Sequence, residues 1–281
     1  DRAAIRIEVI PSLRRSLHPW YDWQAYRELS AALRTFQPEV VHTHSAKGGF
    51  LGRLAAWHLQ VPAVVHSVHG APFHQYQNRA GYWLFRWLEW YAAKRCHHLI
   101  SVADAMTDLM VQARVAPQEK FSTIYSGMEV PPFLDAHQYR DETRRQWHLR
   151  DDDLVIGKIA RLAPLKGHEY VLRSAVDVIR ENPKVKFLFV GDGTKTAEIV
   201  REIDRLGLRD HFVLTGLVAP NQIPRLISAM DVVVHTSLRE GLARVLPQAL
   251  LAGVPVVSFD IDGAREVCLD GETGGLVAPR D

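Results

Sequence analysis

The 281-residue chain sets 34 Lys and Arg against 32 Asp and Glu, a formal charge of +2, so its overall charge excludes bulk electrostatic attraction to nucleic acid. With 47% hydrophobic and 23% charged residues it has ample apolar material for packed domains, which excludes disorder, and its length suits two of them. Cys96 and Cys268 lie in separate apolar or helical contexts where no disulfide is expected, no run approaches the roughly 20 apolar residues of a membrane span, and the start shows no signal-peptide pattern.

The chain opens with Asp1-Arg-Ala-Ala-Ile5, which reads as the lead-in to a middle strand. Short apolar runs then predict strands over Ile5 to Val9, Val40 to Thr43, Ala63 to Val68, His98 to Val102 and Phe121 to Tyr125. Helical periodicity falls between them, near Trp23 to Phe36, Gly49 to Leu59, Gly81 to Arg95 and Asp104 to Ala113. This βα repetition favours a parallel, doubly wound sheet.

Two turns in this half carry polar chemistry. Val41-His-Thr-His-Ser-Ala-Lys-Gly-Gly49 ends a strand and opens a helix; Gly48 and Gly49 permit close backbone approach, and Lys47 can attract an anionic acceptor. His42 and His44 form a His-x-His pair, but no thiolate or carboxylate in the local sequence completes a zinc ligand set. The second turn, Val65-His-Ser-Val-His-Gly70, offers His69 either as a capping or core residue or as a site residue. The segment from Arg79 to His98 is dense in aromatics and cations, and reads either as a core helix with one charged face or as a helix resting on an anionic membrane surface.

From Ser126 to Asp153 the βα pattern breaks at Gly127, Pro131 and Pro132 and passes through a charged stretch. A domain boundary is therefore placed here, with residues 1–135 before it and 136–281 after it. Strands resume over Val155 to Ile159, Lys186 to Val190, Phe212 to Thr215, Val232 to His235 and Val256 to Ser258. Ligands bind at the carboxyl ends of such strands. Three strand-to-helix turns stand there. One is Gly157-Lys-Ile-Ala-Arg-Leu-Ala-Pro-Leu-Lys-Gly167, with Arg161 and Lys166 beside a helix start. The next is Gly191-Asp-Gly193, which lacks the third glycine of a dinucleotide fingerprint. The last is Arg239-Glu-Gly-Leu-Ala-Arg-Val-Leu246, which places Glu240 and Gly241 ahead of a helix from about Arg244 to Ala252 whose N–H groups suit phosphate. Asp151-Asp-Asp153 and Asp260-Ile-Asp262 each contain Asp-x-Asp, a weak metal signature; the second is at most a lining loop.

Arg161 with Lys166-Gly167, then Gly191-Asp-Gly193, then Glu240 followed eight positions later by Gln248 together resemble the retaining, nucleotide-sugar-dependent glycosyltransferases of family 4. The resemblance covers nearly the whole chain and implies the α/β GT-B fold, two Rossmann-like doubly wound domains facing across a cleft. It implies that Arg161 and Lys166, with the N–H groups near Val245 and Leu246, hold the donor diphosphate, and that Glu240 contacts the transferred sugar. His69 matches the family histidine that contacts a sugar hydroxyl. Gly191, Gly193 and Gly241 border the nucleotide or sugar. Gln248 stands where the family has a ribose-binding acid, and its neutral amide still offers two hydrogen-bonding ends. Beside the family both ends look truncated, lacking the first strand and its Gly-rich turn at the front and the final helices at the back.

The expected activity is metal-independent transfer, without a cofactor, from a UDP-, GDP- or ADP-linked sugar to a glycan, a lipid-linked acceptor or a polysaccharide precursor of the cell envelope, with retention of configuration. A cytoplasmic protein, peripheral at the inner face of the membrane, fits that work. A nucleotide-sugar epimerase or a phosphorylase is a rival on the same fold, though neither the carboxylates of the first nor the cofactor lysine of the second is evident. A rival of another class is an idle GT-B scaffold that binds nucleotide or a protein partner without turnover.

Overall fold

The computed structural model describes residues 5–14 and 16–280, and the chain divides into two compact units, Asp1–Tyr125 and Ser126–Asp281. Residues 126–135, assigned before the boundary in the sequence reading, group with the second unit.

The first unit alternates α1 (Pro19–Phe36), β1 (Val40–His44), α2 (Ala46–His58), β2 (Ala63–Val68), α3 (Arg79–Ala93), β3 (His98–Ser101), α4 (Asp104–Gln112) and β4 (Phe121–Thr123). The strands pair in parallel in the order β1-β2-β3-β4, each reached through a helix, as parallel neighbours require. Pro19 starts α1, where its missing N–H costs nothing, and Gln37 ends it in the left-handed region. Helix α2 lies tight on the sheet: a Cβ at Gly49 would stand 2.3 Å from His66 Cε1. It is tied to α3 by Arg53, which meets Glu89 at 2.8 Å with both side chains buried.

The predicted strand over Ile5 to Val9 does not form. Ile5, Ile7 and Val9 are 82%, 83% and 76% exposed, because the alternating pattern meets no strand partner among the described residues. The lead-in residues 1–4 lie outside the described residues.

The second unit contains α5 (Pro131–Leu134), α6 (Arg140–Gln146), β5 (Leu154–Ile159), α7 (His168–Glu181), β6 (Val185–Val190), α8 (Thr196–Arg205), β7 (Phe212–Leu214), α9 (Ile223–Ser228), β8 (Val232–His235), α10 (Val245–Leu251), β9 (Val256–Phe259) and β10 (Gly274–Val277). Its sheet is parallel throughout, in the order β10-β9-β8-β5-β6-β7. Both faces are covered, which is why the strands read as continuous apolar runs. Val155, Leu188, Val233 and Val256 pack with Leu226, Ile227, Leu246 and Ala249 on one face. Phe187, Phe189 and Phe212 pack with Val171, Leu172, Ile199 and Ile203 on the other.

Strand β10 was not anticipated, since Gly274 and Gly275 deprive it of a β-forming signal. At Gly274 the glycine is needed, because a Cβ would stand 2.0 Å from the Val256 carbonyl oxygen. The strand order turns at β5, which has β6 on one side and β8 on the other. The connections leaving β5 and β8 run to opposite sides there and leave a crevice at the carboxyl ends of these two strands.

Candidate active site

The turn after β5 ends in Lys166-Gly167 and the loop after β8 carries Glu240, so the crevice brings together a cation and an acid 74 residues apart in sequence. Lys166 Nζ donates to Glu240 Oε1, with the two side chains only 18% and 24% exposed. Gly167 has φ +67°, and a Cβ there would lie 1.8 Å from the Thr236 carbonyl oxygen, so this turn is pressed against the end of β8. Arg161, on the same connection, is exposed and enters no ion pair among the described residues.

The Gly191-Asp-Gly193 turn packs on the Arg161 turn. A Cβ at Gly191 would stand 2.2 Å from the Ala160 carbonyl oxygen, and one at Gly193 would stand 2.3 Å from that of Leu162. Leu162 N–H donates to Asp192 O at 3.0 Å, and Lys195 N–H to Leu162 O at 2.8 Å. These glycines are required by the approach of one protein turn to another.

Burial pushes the Glu240 carboxyl up, but the nearby His235 ring and the charge and hydrogen bond of Lys166 more than reverse this and bring it to about 2. His235 Nε2 stands 3.6 Å from Glu240 Oε1, too far for a hydrogen bond, and has no other partner. Burial also lowers the His235 pKa, so that ring is neutral at pH 7. The Glu240 N–H donates to Asp262 Oδ2 at 2.7 Å, which fixes the loop that carries the acid. Burial pushes the Asp262 carboxyl up, against the Glu240 N–H and Arg239. Asp262 thus acts on the site through Glu240; the weight of an Asp-x-Asp turn was its only sign in sequence.

Helix α10 begins at Val245, with Arg244 as its cap. The Leu246 N–H expected to face a phosphate is already donated to Ala243 O at 3.1 Å, because the first turn is wound tightly. Gln248 lines a cavity of about 640 Å³ with Arg244, Gly127, Glu129 and Asn221, none of them part of the Lys166–Glu240 pair. Gly241 is buried, and its carbonyl accepts the Gly263 N–H at 3.4 Å.

Two residues of the crevice went unread. Lys158, on β5, is 1% exposed, and its Nζ donates to Thr236 Oγ1 at 2.7 Å. Thr236 Oγ1 in turn donates to the Gly167 carbonyl at 2.7 Å. A lysine inside the apolar run Val155-Ile-Gly-Lys-Ile159 was the available signal.

In the first unit the two polar turns together form a histidine cluster. His44 Nδ1 and His69 Nε2 are 3.0 Å apart, so one ring donates and the other accepts. His42 Nε2 meets Ser67 Oγ at 2.8 Å. Burial and then the neighbouring histidines lower the pKa values of His42 and His69, leaving both rings neutral at pH 7. Among the described residues no group of three His, Cys, Asp or Glu is placed to hold a metal. Lys47 is engaged by the Ser16 carbonyl and by Asp22, whose Oδ1 is 2.5 Å away. Gly49 faces His66 and Gly48 faces Ser45 Oγ, so the approach these glycines permit is to the protein itself.

Residues 139–281 match the family described as glycosyl transferases group 1, and residues 1–130 match glycosyltransferase family 4. The chain is 30% identical over 263 residues to the UDP-Gal:alpha-D-GlcNAc-diphosphoundecaprenol alpha-1,3-galactosyltransferase of Escherichia coli, covering 92% of this chain and 67% of that protein. It is 28% identical to the alpha-D-kanosaminyltransferase of Streptomyces kanamyceticus, covering 85% of this chain and 64% of that protein. The chain thus spans about two thirds of the length of these relatives. HepE of Anabaena, solved in complex with UDP-glucose, superposes with a TM-score of 0.81 at 24% identity, over 92% of this chain and 69% of that one. That likeness establishes the GT-B fold.

Proposed function

Because the chain belongs to the glycosyl transferases of group 1, with a family 4 N-terminal half, we propose that it moves a sugar from a nucleoside-diphosphate sugar to a glycan or lipid-linked acceptor, with retention of anomeric configuration. The observation that carries this is the Lys166–Glu240 pair at the carboxyl ends of β5 and β8, with exposed Arg161 on the same connection as Lys166. A diphosphate placed there meets two cations, and a sugar beyond it meets a carboxylate. UDP is the first donor nucleotide to consider, since the E. coli relative is named for UDP-Gal and HepE was solved with UDP-glucose.

The C1–O bond to the phosphate breaks as the acceptor oxygen bonds to C1 on the same face, and the acceptor proton passes to a leaving-phosphate oxygen. Negative charge grows on that phosphate, and Arg161 and Lys166 stabilise it; positioned donors of this kind are worth about 3 kcal/mol each in the transition state. In this reading they supply the neutralisation for which other enzymes use a divalent cation. Glu240, relieved of Lys166, contacts the transferred sugar, and His69 is the first unit's candidate for a sugar hydroxyl. Gln248, in its cavity with Arg244, is the candidate for the ribose.

The acceptor side includes a membrane-facing helix. On α3, Trp83, Leu84 and Trp87 are 56%, 48% and 51% exposed; Arg86 lies among them, over the Trp83 ring, and Lys94 follows at the helix's carboxyl end. The helix has a single acid, Glu89, which is buried against Arg53. This apolar and cationic stripe suits an anionic bilayer surface. No helix among the described residues is long and apolar enough to cross a membrane.

Calorimetric titration with UDP, GDP and ADP, repeated on an Arg161→Ala, Lys166→Ala double variant, tests the donor site. Binding of one nucleotide that is lost in the variant supports the reading. Equal binding by both proteins removes it.

A further inference from the structure

We propose that Lys158 is a positioning residue of the donor site: through Thr236 it fixes the turn bearing Lys166, and its buried charge adds to the attraction for the donor diphosphate. This rests on the donor-site reading above. Lys158 shares its face of β5 with Ile156, which packs into the phenylalanine-rich core. Nothing about an edge strand or a solvent face accounts for a cation here, and a buried lysine is costly unless its charge is used.

Its ammonium is held by one hydrogen bond, to Thr236 Oγ1, which passes it on to the carbonyl of Gly167. The ammonium, the hydroxyl and the carbonyl therefore form a strut between β5, the end of β8 and the residue next to Lys166. Around them lie three buried polar atoms with no protein partner, His168 Nε2, His235 Nε2 and Ser237 Oγ. Lys166 is bound to Glu240. A diphosphate that draws Lys166 away leaves Glu240 in reach of the Lys158 charge, so the second cation keeps the acid ionised while the first serves the phosphate.

The charged groups in electrostatic reach of Lys158 are Lys166 on the turn, Glu169 on α7 and Glu240 after β8. His168 on α7 and His235 on β8 feel its charge in turn, and His168 also feels that of Lys195. Burial and then Lys166 bring the Lys158 pKa down to about 7. His168 is held to about 3 by burial, His235 is lowered by burial, and Glu240 stands at about 2, so both rings are neutral and Glu240 is ionised above pH 7. A bound diphosphate favours charged Lys158 and raises its pKa. Affinity is therefore full below about pH 7 and declines above it until the raised value of the complex is reached.

The test is the affinity of the chain for UDP, GDP and ADP between pH 7 and pH 9, where the terminal phosphate, with its pKa near 6, is already ionised. The wild-type chain should lose about tenfold in affinity for its nucleotide across this range. Lys158→Met should bind several-fold more weakly at pH 7 and show no such decline. Thr236→Val, which cuts the strut and keeps the cation, should bind more weakly yet retain the decline, so it reads out the proposal if Lys158→Met does not fold. A flat wild-type profile, or a decline that persists in folded Lys158→Met, overturns the role of Lys158 alone. Failure of the wild-type chain to bind any of the three nucleotides overturns the donor-site reading and this inference with it.

Discussion

Removing the two ends of the Lys166–Glu240 pair should change nucleotide affinity in opposite directions. Lys166→Met deletes the charge-assisted hydrogen bond proposed to reach the diphosphate, worth about 1.5–3 kcal/mol, and should weaken UDP binding roughly 10- to 100-fold. Glu240→Gln deletes the group to which Lys166 is bound. With both side chains about a fifth exposed, the net attraction between them is on the order of 1 kcal/mol. Relief of that competition should tighten UDP by about fivefold while sugar transfer falls, since the contact with the sugar is lost. The same substitution should cost stability. The Glu240 carboxyl is held below its ordinary 4.5, at about 2, so its ionised form stabilises the folded chain. That stabilisation is present in full above about pH 4.5 and disappears as the pH falls towards 2. Glu240→Gln should therefore be less stable than wild type at pH 7, with the gap closing in acid. Calorimetric titration with UDP at low ionic strength, urea unfolding across the pH range, and a transfer assay on each variant provide the measurements. If Glu240→Gln weakens UDP as much as Lys166→Met does, the pair is a structural tie and not a competitor for the diphosphate.

Gly167→Ala should lose about 3 kcal/mol or more of stability in denaturant unfolding, because its Cβ would meet the Thr236 carbonyl at 1.8 Å and its φ is +67°; a loss under about 1 kcal/mol would show the turn free to move. Asp231→Asn should destabilise by about 3 kcal/mol, since its carboxylate binds Arg140 at 2.5 Å, Arg144 at 2.8 Å and the Val155 N–H at 2.7 Å. Burial raises the Asp231 carboxyl, but the Val155 N–H and the two arginines lower it on balance, so the difference from wild type should persist at pH 7 and shrink as the pH falls through the acid range. Replacing Trp83 and Trp87 together with Ser should reduce sedimentation with vesicles rich in phosphatidylglycerol by about tenfold and leave UDP affinity unchanged. Equal sedimentation would remove α3 from the acceptor face.

The strands that frame the site were legible because burial on both faces writes them as short β-branched runs, as in Val232-Val-Val-His235. Two departures have opposite causes. Ile5-Arg-Ile-Glu-Val9 has the alternation of a strand but no partner in the described sheets, and alternation alone carries no hydrogen bonds. Gly274-Gly-Leu-Val277 has a partner in β9 but almost no β-propensity, because backbone proximity to Val256 demands glycine where pattern reading looks for a branched side chain.

The chemistry shows a similar division. Lys166 and Glu240 each stood out in sequence as a charged residue at a strand-to-helix turn, but their pairing depends on the crossover that sets β8 beside β5, which no local pattern encodes. Lys158 is the stronger case, because its neighbours in sequence are those of a core strand and only the arrangement around it shows that its face opens under the Lys166 turn. A strand residue one position either side, at Gly157 or Ile159, would face the other core, where Met230 already fills the space a Cβ at Gly157 would need. The two-residue period of the strand thus admits a buried cation beneath the Lys166 turn at position 158 and excludes it from the positions on either side, so moving the lysine to 157 or 159 would put its charge into an apolar layer and leave Thr236 without its donor.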